Sequence, residues 1–352
     1  MAIRAPYGNQ PGNQTAWQTT IDYSPVTLDP TKTVKWITLP QGNPTPQGGI
    51  PALHVFAVSI QSDNLSVTAP PAVEAGGSGA VTTTLANPSS TALGNVALSL
   101  DLPSGWTATN TSPDTFATVP ADGTVSTTWS VSVPSGQQPG SQVIGVTESV
   151  GGTQAGISGA QTQVAYSSLS AGFDNVSITD DSNRDPSDLN GGIDGGGNSL
   201  SAEALAAAGL TPGATLTVGG VTFTWPSAAA GTEDNIEANG QAINVTGTGS
   251  TLGFLGISAN GPHSGTGTIT YTDGSTQQFT VSFGDWANGA PPAGAQTAVT
   301  AAYGNNTSGP TTWQTAVFYY PVTLESGKTV QSVTLPAAGS QPLHFFAAAI
   351  GG

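Results

Sequence analysis

Hydrophobic side chains in this chain recur at every second position, in short runs. In VALSLDL (96–102), Val96, Leu98, Leu100 and Leu102 share one side. TWSVSV (128–133) puts Trp129, Val131 and Val133 on one face with serines between, and VTFTW (221–225), GTITYT (267–272) and QFTVSF (278–283) follow the same rule. A period of two means a strand with one buried and one wetted face. Asp122-Gly123, Asp273-Gly274 and abundant Pro and Gly mark the turns between them. Short strands at this spacing predict antiparallel β-sandwiches. One segment breaks the pattern. SAEALAAAGL (201–210) predicts a short helix over 201–208, capped by Ser201 and stopped at Gly209. The expected fold is all-β: tandem antiparallel sandwiches, one Ig-like and one larger and jelly-roll-like.

An internal repeat sets the domain organisation. Tyr7, Trp17, Tyr23, Pro25, Val26, Leu28, Lys32 and Val34 recur at one constant spacing as Tyr303, Trp313, Tyr319, Pro321, Val322, Leu324, Lys328 and Val330. LHVFAVSI (53–60) then matches LHFFAAAI (343–350). The second copy follows a long segment, 167–298, that has no counterpart before the first. Residues 1–62 are therefore read as the C-terminal half of an earlier copy of the large module, 63–166 as an Ig-sized sandwich, and 167–352 as the large sandwich.

Composition narrows the partners. Charged residues make up 7% of the chain, against roughly a quarter in an average soluble protein. Net charge is −16, with five basic residues. So few cations cannot neutralise many phosphates or hold an anionic membrane, which argues against nucleic-acid and membrane partners. No apolar run approaches the ~20 residues of a membrane helix. There is no cysteine, hence no disulfide framework and no thiol chemistry. The Thr-rich, Lys-poor composition suggests a secreted, extracellular protein, and the lack of a visible signal peptide is read as truncation of a longer secreted chain.

Two stretches resemble known modules. NLSVTAPPAVEAGGSGAVTTTLANPSSTALGNVALSLDLPSGWTATN (64–110), with VPADGTVSTTWSVSVPSG (119–136), resembles the Ig-like domain associated with bacterial alpha-galactosidases. The LPSGW turn, Leu102 to Trp106, and the TTWSVSVP strand carry that likeness. FDNVSITDD (173–181), VGGVTFTWP (218–226), LGFLG (252–256), YTDGSTQQFTVSFGDW (271–286) and KTVQSVTLP with LHFFA (328–347) resemble a β-sandwich module appended to actinobacterial secreted glycoside hydrolases, alpha-mannosidase-like enzymes among them. Both resemblances imply accessory modules rather than catalytic domains, and an upstream catalytic domain of the same polypeptide as partner.

The residues offer little catalytic chemistry, which needs a positioned acid, base or nucleophile. Of three histidines, His54 and His344 are repeat equivalents on a strand face shared with Phe56 and Phe346, which reads as structural. His263 sits in a Gly/Ser loop without an obvious partner. No catalytic residue is assigned.

The densest polar segment is TDDSNRDPSDLNGGIDGGGN (179–198). Hard cations take oxygen ligands from such loops. Asp181, Asn183 and Asp185 open like a calcium loop, but Pro186 and Gly192 stand where its turn glycine and bidentate acid belong. The segment is either a solvated acidic loop or a Ca²⁺ site of another kind, with Asp180, Asp181, Asp185 and Asp194 as ligands.

Sugar binding needs a flat aromatic face with amide or carboxylate partners for the hydroxyls. Phe318 and Tyr320 lie on one strand face, where the first copy has Asp22 and Ser24. A face that tolerates Asp and Ser reads as solvent-facing, so the pair is expected to form a stacking platform or to cover a neighbouring domain. Trp286 falls out of phase with Phe279, Val281 and Phe283, which predicts an exposed or loop-capping role; Trp225 is in phase and reads as core. Asp234, Asn235 and Asp285 are candidate hydroxyl partners, and Trp106 and Trp129 are assigned to the Ig-like core. The leading functional expectation is a non-catalytic accessory region of a secreted bacterial glycoside hydrolase that binds a glycan and spaces domains. The alternative is a self-assembling extracellular structural protein, in which residues 1–60 pair with 167–298 of another chain through exposed strand edges.

Overall fold

The computed structural model describes residues 64–182, 192–337, 339 and 343–352, with Ile3–Ala5, Asn9–Gln10, Asn13–Gln14, Thr19–Ile21 and Ile37. Near the start, Ile3–Ala5 pairs antiparallel with Thr19–Ile21, and Asn9–Gln10 with Asn13–Gln14. His54, Asp22, Ser24 and Asp185 lie outside the described residues.

The Ig-like sandwich has two sheets. One orders Leu65–Thr68, Ser78–Ala86, Thr124–Ser132 and Thr107–Asn110. The other orders Thr115–Val119, Leu93–Asp101, Gly140–Val150, Thr153–Val164 and Ala72–Val73. Alternation holds as read: Val96, Leu98, Trp129, Val131 and Val133 are buried together with Val81, Leu85 and Ile144. Each such side chain contributes about 1.5–3 kcal/mol through burial. The LPSGW turn delivers Trp106 into this core. Gly105 takes φ +81°, Trp106 N–H returns to the Pro103 carbonyl at 3.1 Å, and the indole N–H donates to Gln137 Oε1 at 3.0 Å.

The larger sandwich has a five-stranded sheet at its centre: Ile236–Glu237, Leu343–Gly351, Thr251–Ser258, Thr315–Thr323 and Gln296–Ala301. On one side lies a four-stranded sheet of Ala242–Gly247, Val330–Thr334, His263–Tyr271 and Thr276–Phe283. Between them sit Phe254, Phe279, Phe283, Phe318, Phe345 and their neighbours. The other side is covered as well. The Thr215–Val218/Val221–Thr224 hairpin, the helix Ala202–Ala207 and the Ile178–Thr179/Ser199–Ser201/Gly304–Asn306/Gly309–Pro310 sheet enclose a second core. There Trp225 stacks on Phe346 with ring centroids 4.8 Å apart. The LGFLG run follows from this double burial. A Cβ on Gly256 would run into the Phe283 ring on the inner side, and one on Gly253 would lie 2.7 Å from Phe223 on the outer side. Only glycine lets aromatic rings from both layers rest on that strand.

The helix forms where expected. Ser201 accepts from Ala204 N–H at 3.0 Å, and Gly209 follows the last turn with φ +88°.

Strand pairing also joins the two sandwiches. Past Val164, Ala165 N–H donates to the Val73 carbonyl on the Ig-like side, while Tyr166 N–H donates to the Ala242 carbonyl and the Tyr166 carbonyl accepts from Asn244 N–H, both at 2.9 Å. Tyr166 thus adds to the edge of the larger sandwich, and Ala72, Ala165 and Ala242 pack beneath the joint.

Candidate functional site

Packing on both faces of the central sheet overturns the exposure expected for the aromatic candidates. Phe318 is fully buried between the sheets, and Tyr320 is half-buried against the same core. Trp286 is 3% exposed and belongs to the outer core. Its parity changed because the chain leaves the strand after Phe283. Trp286 N–H then donates to Ser258, and its carbonyl accepts from Ala316 N–H, fixing the indole beneath the small sheet. Phe318, Tyr320 and Trp286 therefore form no open stacking platform. Asp285 braces a loop, accepting from Gly261 N–H at 2.6 Å and Ala287 N–H at 3.0 Å.

Asn235 is fully buried at the centre of a polar network. Its Nδ2 lies within 3.1 Å of Asn175 O and Oδ1, Ser177 Oγ and Asp234 Oδ1. Asp234 also accepts from the Ser177 and Ile178 N–H groups. His344 closes the network from the last strand, with Nδ1 2.8 Å from Asn235 Oδ1 and Nε2 3.0 Å from the Ile193 carbonyl. Burial pushes Asp234 up to about 7 and His344 down to about 4, against the pull of the Ile193 carbonyl and Asp194. The structural reading of His344 agrees with this placement. His263, expected in a loop, instead begins a strand, with a buried Nε2 that lacks a partner.

Among the metal candidates, Asp181 is held by protein. Its carboxylate accepts from Ser201 Oγ at 2.6 Å and Tyr303 OH at 2.8 Å. Burial works to raise its pKa, but these and further hydrogen bonds outweigh it and hold the carboxyl below the usual range. Asp194 accepts from Gly196 N–H and Asn198 Nδ2. Asp180 is exposed. Among the described residues, no three acidic, histidine or cysteine side chains converge on a common point.

The sequence reading did not find the cleft at the joint between the sandwiches. It encloses about 360 Å³, with Glu74, Gln137 and Gln138 on the Ig-like side and Tyr166, Ser167 and Asn244 on the other. Asn244 Oδ1 is shut off from solvent without a hydrogen-bond partner. Gly172 lies against Tyr166, and a Cβ there would come 3.1 Å from the ring Cγ. The available signal was positional: Tyr166 is the last residue before the expected domain boundary.

Comparison with known proteins supports both modules. Residues 73–150 match the family described as NPCBM-associated, NEW3 domain of alpha-galactosidase. Residues 163–351, more than half of the chain, match the AziU2-like beta-sandwich domain. No curated protein matches. Among solved structures, the secreted serine protease VesC from Vibrio cholerae is 10% identical over 80% of this chain and 50% of its own, with a TM-score of 0.24, so this chain spans half of that protein. The C-terminal domain of the Streptococcus pyogenes antigen I/II-family protein AspA is 9% identical over 81% of this chain and 91% of its own, at 0.24. A family 123 glycoside hydrolase from Clostridium perfringens is 9% identical over 34% of this chain and 30% of its own, at 0.19. Scores this low carry no argument about function. The match over residues 163–351 shows the family: the chain belongs to the AziU2-like β-sandwich domain family.

Proposed function

We propose that this chain is a non-catalytic accessory region of a secreted glycoside hydrolase, holding a glycan and setting the distance to a catalytic domain of the same polypeptide. The observation that carries the reading is the NEW3 match, a family named for its association with alpha-galactosidase, joined to a second β-sandwich module. The joint supports a spacing role, because backbone hydrogen bonds at Tyr166 tie the two sandwiches together more stiffly than a flexible linker would. Incubating the purified chain with insoluble and soluble polysaccharides tests it. Retention on at least one, without release of reducing sugar, is the expected result. Hydrolysis by the chain itself, or retention on none, would overturn the reading.

A second reading is favoured by the repeat. The copy at 303–351 supplies Thr315–Thr323, Val330–Thr334 and Leu343–Gly351, and each pairs with strands from the preceding part of the module rather than with one another. A second such copy in residues 1–60 is equipped to pair with the 167–298 part of a neighbouring chain. Light scattering that gives one monomeric mass at all concentrations would exclude that exchange.

A further inference from the structure

The cleft at the joint has the lining of a small-ligand site, and its volume of about 360 Å³ falls within the range of about 300–1,000 Å³ usual for such sites. It is preformed, because both walls hang from the Tyr166 backbone bridge. One wall carries an aromatic ring, Tyr166, and the rim carries three amides, Gln137, Gln138 and Asn244. The orientation of Gln137 is fixed. The Trp106 indole N–H donates to its Oε1 at 3.0 Å, which leaves the amide NH₂ as the free donor. Asn244 adds a further amide side chain to the lining, its Oδ1 closed off from solvent.

We propose that this cleft is a carbohydrate subsite for one end of a neutral glycan chain. The proposal rests on the glycan-binding reading above and names its site and ligand class. Amide donors and acceptors beside an aromatic ring suit a pyranose, whose C–H face packs on the ring while its hydroxyls both donate and accept. Charge selects against acidic sugars. Glu74 is the charged residue on the wall, and the chain carries −16 overall, so a uronate or sialate would meet repulsion.

Titration of the full chain with neutral oligosaccharides (glucan, galactan and mannan series) and with oligogalacturonate tests this, followed by calorimetry and by the side-chain amide NMR signals of Gln137, Gln138 and Asn244. A neutral sugar should bind and shift those signals. Gln138→Ala, at an exposed position that leaves the core intact, should weaken binding about tenfold, the size of one well-placed hydrogen bond. Gln138→Glu should weaken it and leave oligogalacturonate unbound. Neutral-sugar binding that leaves these signals and the Gln138→Ala affinity unchanged would overturn the cleft while leaving the glycan reading standing. Tighter binding of the uronate would overturn the ligand class. Failure of every sugar to bind would overturn both readings.

Discussion

In the Ig-like sandwich, the strand Thr124–Ser132 buries Trp129 and Val131 and exposes Ser130 and Ser132; in the larger one, Thr315–Thr323 buries five residues in succession, Thr315 to Tyr319. The chemistry of the strands is similar, but the number of layers differs. Two packed sheets leave every strand one wet face, so parity separates core from surface. A sheet covered on both sides has no wet face, and parity only tells one core from the other: Phe254 and Phe318 face the inner core, Leu255 and Tyr319 the outer.

The largest effects should come from neighbouring residues on the central strand. Phe254→Ala should cost about 3–5 kcal/mol and Leu255→Ala about 2–5 kcal/mol, although the two are adjacent. In the Ig-like sandwich Trp129→Ala should cost about 3–5 kcal/mol, while Ser130→Ala stays within about 0.5 kcal/mol. Hydrogen exchange read by mass spectrometry reports each sandwich separately. A neutral Leu255→Ala would remove the outer core from the account.

Next in size is the pH response of the buried network; the Ig-like sandwich carries a buried carboxyl of its own, Glu148, which burial also pushes up. Asp234, raised by burial to about 7, keeps its proton in the fold and loses it when unfolded above its ordinary value. It therefore stabilises the acid side, and that stability is lost as pH rises from about 4 to about 7. His344, lowered by burial to about 4, is neutral in the fold and charged when unfolded below about 6.5, so its effect runs the other way and stability rises over about 4 to 6.5. The two slopes oppose each other over about pH 4 to 6.5. Each single variant should uncover the other slope, on the order of a few kcal/mol across the window. Asp234→Asn should make the larger sandwich gain stability from pH 4 to 6.5, and His344→Gln should make it lose stability from pH 4 to 7. Denaturant midpoints against pH, taken relative to the parent chain, decide it; parallel profiles for both variants would mean the two groups do not titrate as described.

The same comparison explains what the sequence disclosed. Strand positions, the Asp273-Gly274 hairpin, the capped helix and both tryptophans of the Ig-like core were legible, because local periodicity and turn chemistry determine them. Trp286 was misread because a third layer assembled from Ile178–Thr179, Ser199–Ser201, Gly304–Asn306 and the helix is distant in sequence, and Phe318 because the four-stranded sheet it faces comes from other segments; no alternation within one strand records either. Asn235 was noticed as a polar residue, but its role depends on Asn175, Ser177 and His344, which the fold brings together. The cleft was hidden because its two walls come from different sandwiches.

Glycines sharpen the contrast at intermediate cost. Gly256→Ala should cost about 1–3 kcal/mol or more, since the new methyl meets Phe283 and the His344 carbonyl backbone. Gly94→Ala, on a strand of the Ig-like sandwich with nothing within 4 Å of the added carbon, should be neutral or slightly stabilising. Thermal unfolding of the two variants side by side measures the difference.

The smallest expected effect concerns the helix that closes the outer layer. Its six residues, Ala202–Ala207, are too few to be stable alone. Packing of Ala204 and Leu205 into the outer core holds them, with Ser201 as cap. Ser201 also donates to Asp181, which Tyr303 supports from the small sheet. Ser201→Ala removes both contacts and should cost about 1 kcal/mol. Ser201→Asp restores the cap acceptor but sets a third carboxylate beside Asp181 and Glu203, so it should recover less stability at pH 7 than at pH 4, where the new carboxyl is partly protonated. Equal recovery at both pH values would show that Ser201 acts through the cap alone and that Asp181 is free of it, which would detach the outer layer's polar seam from its helix.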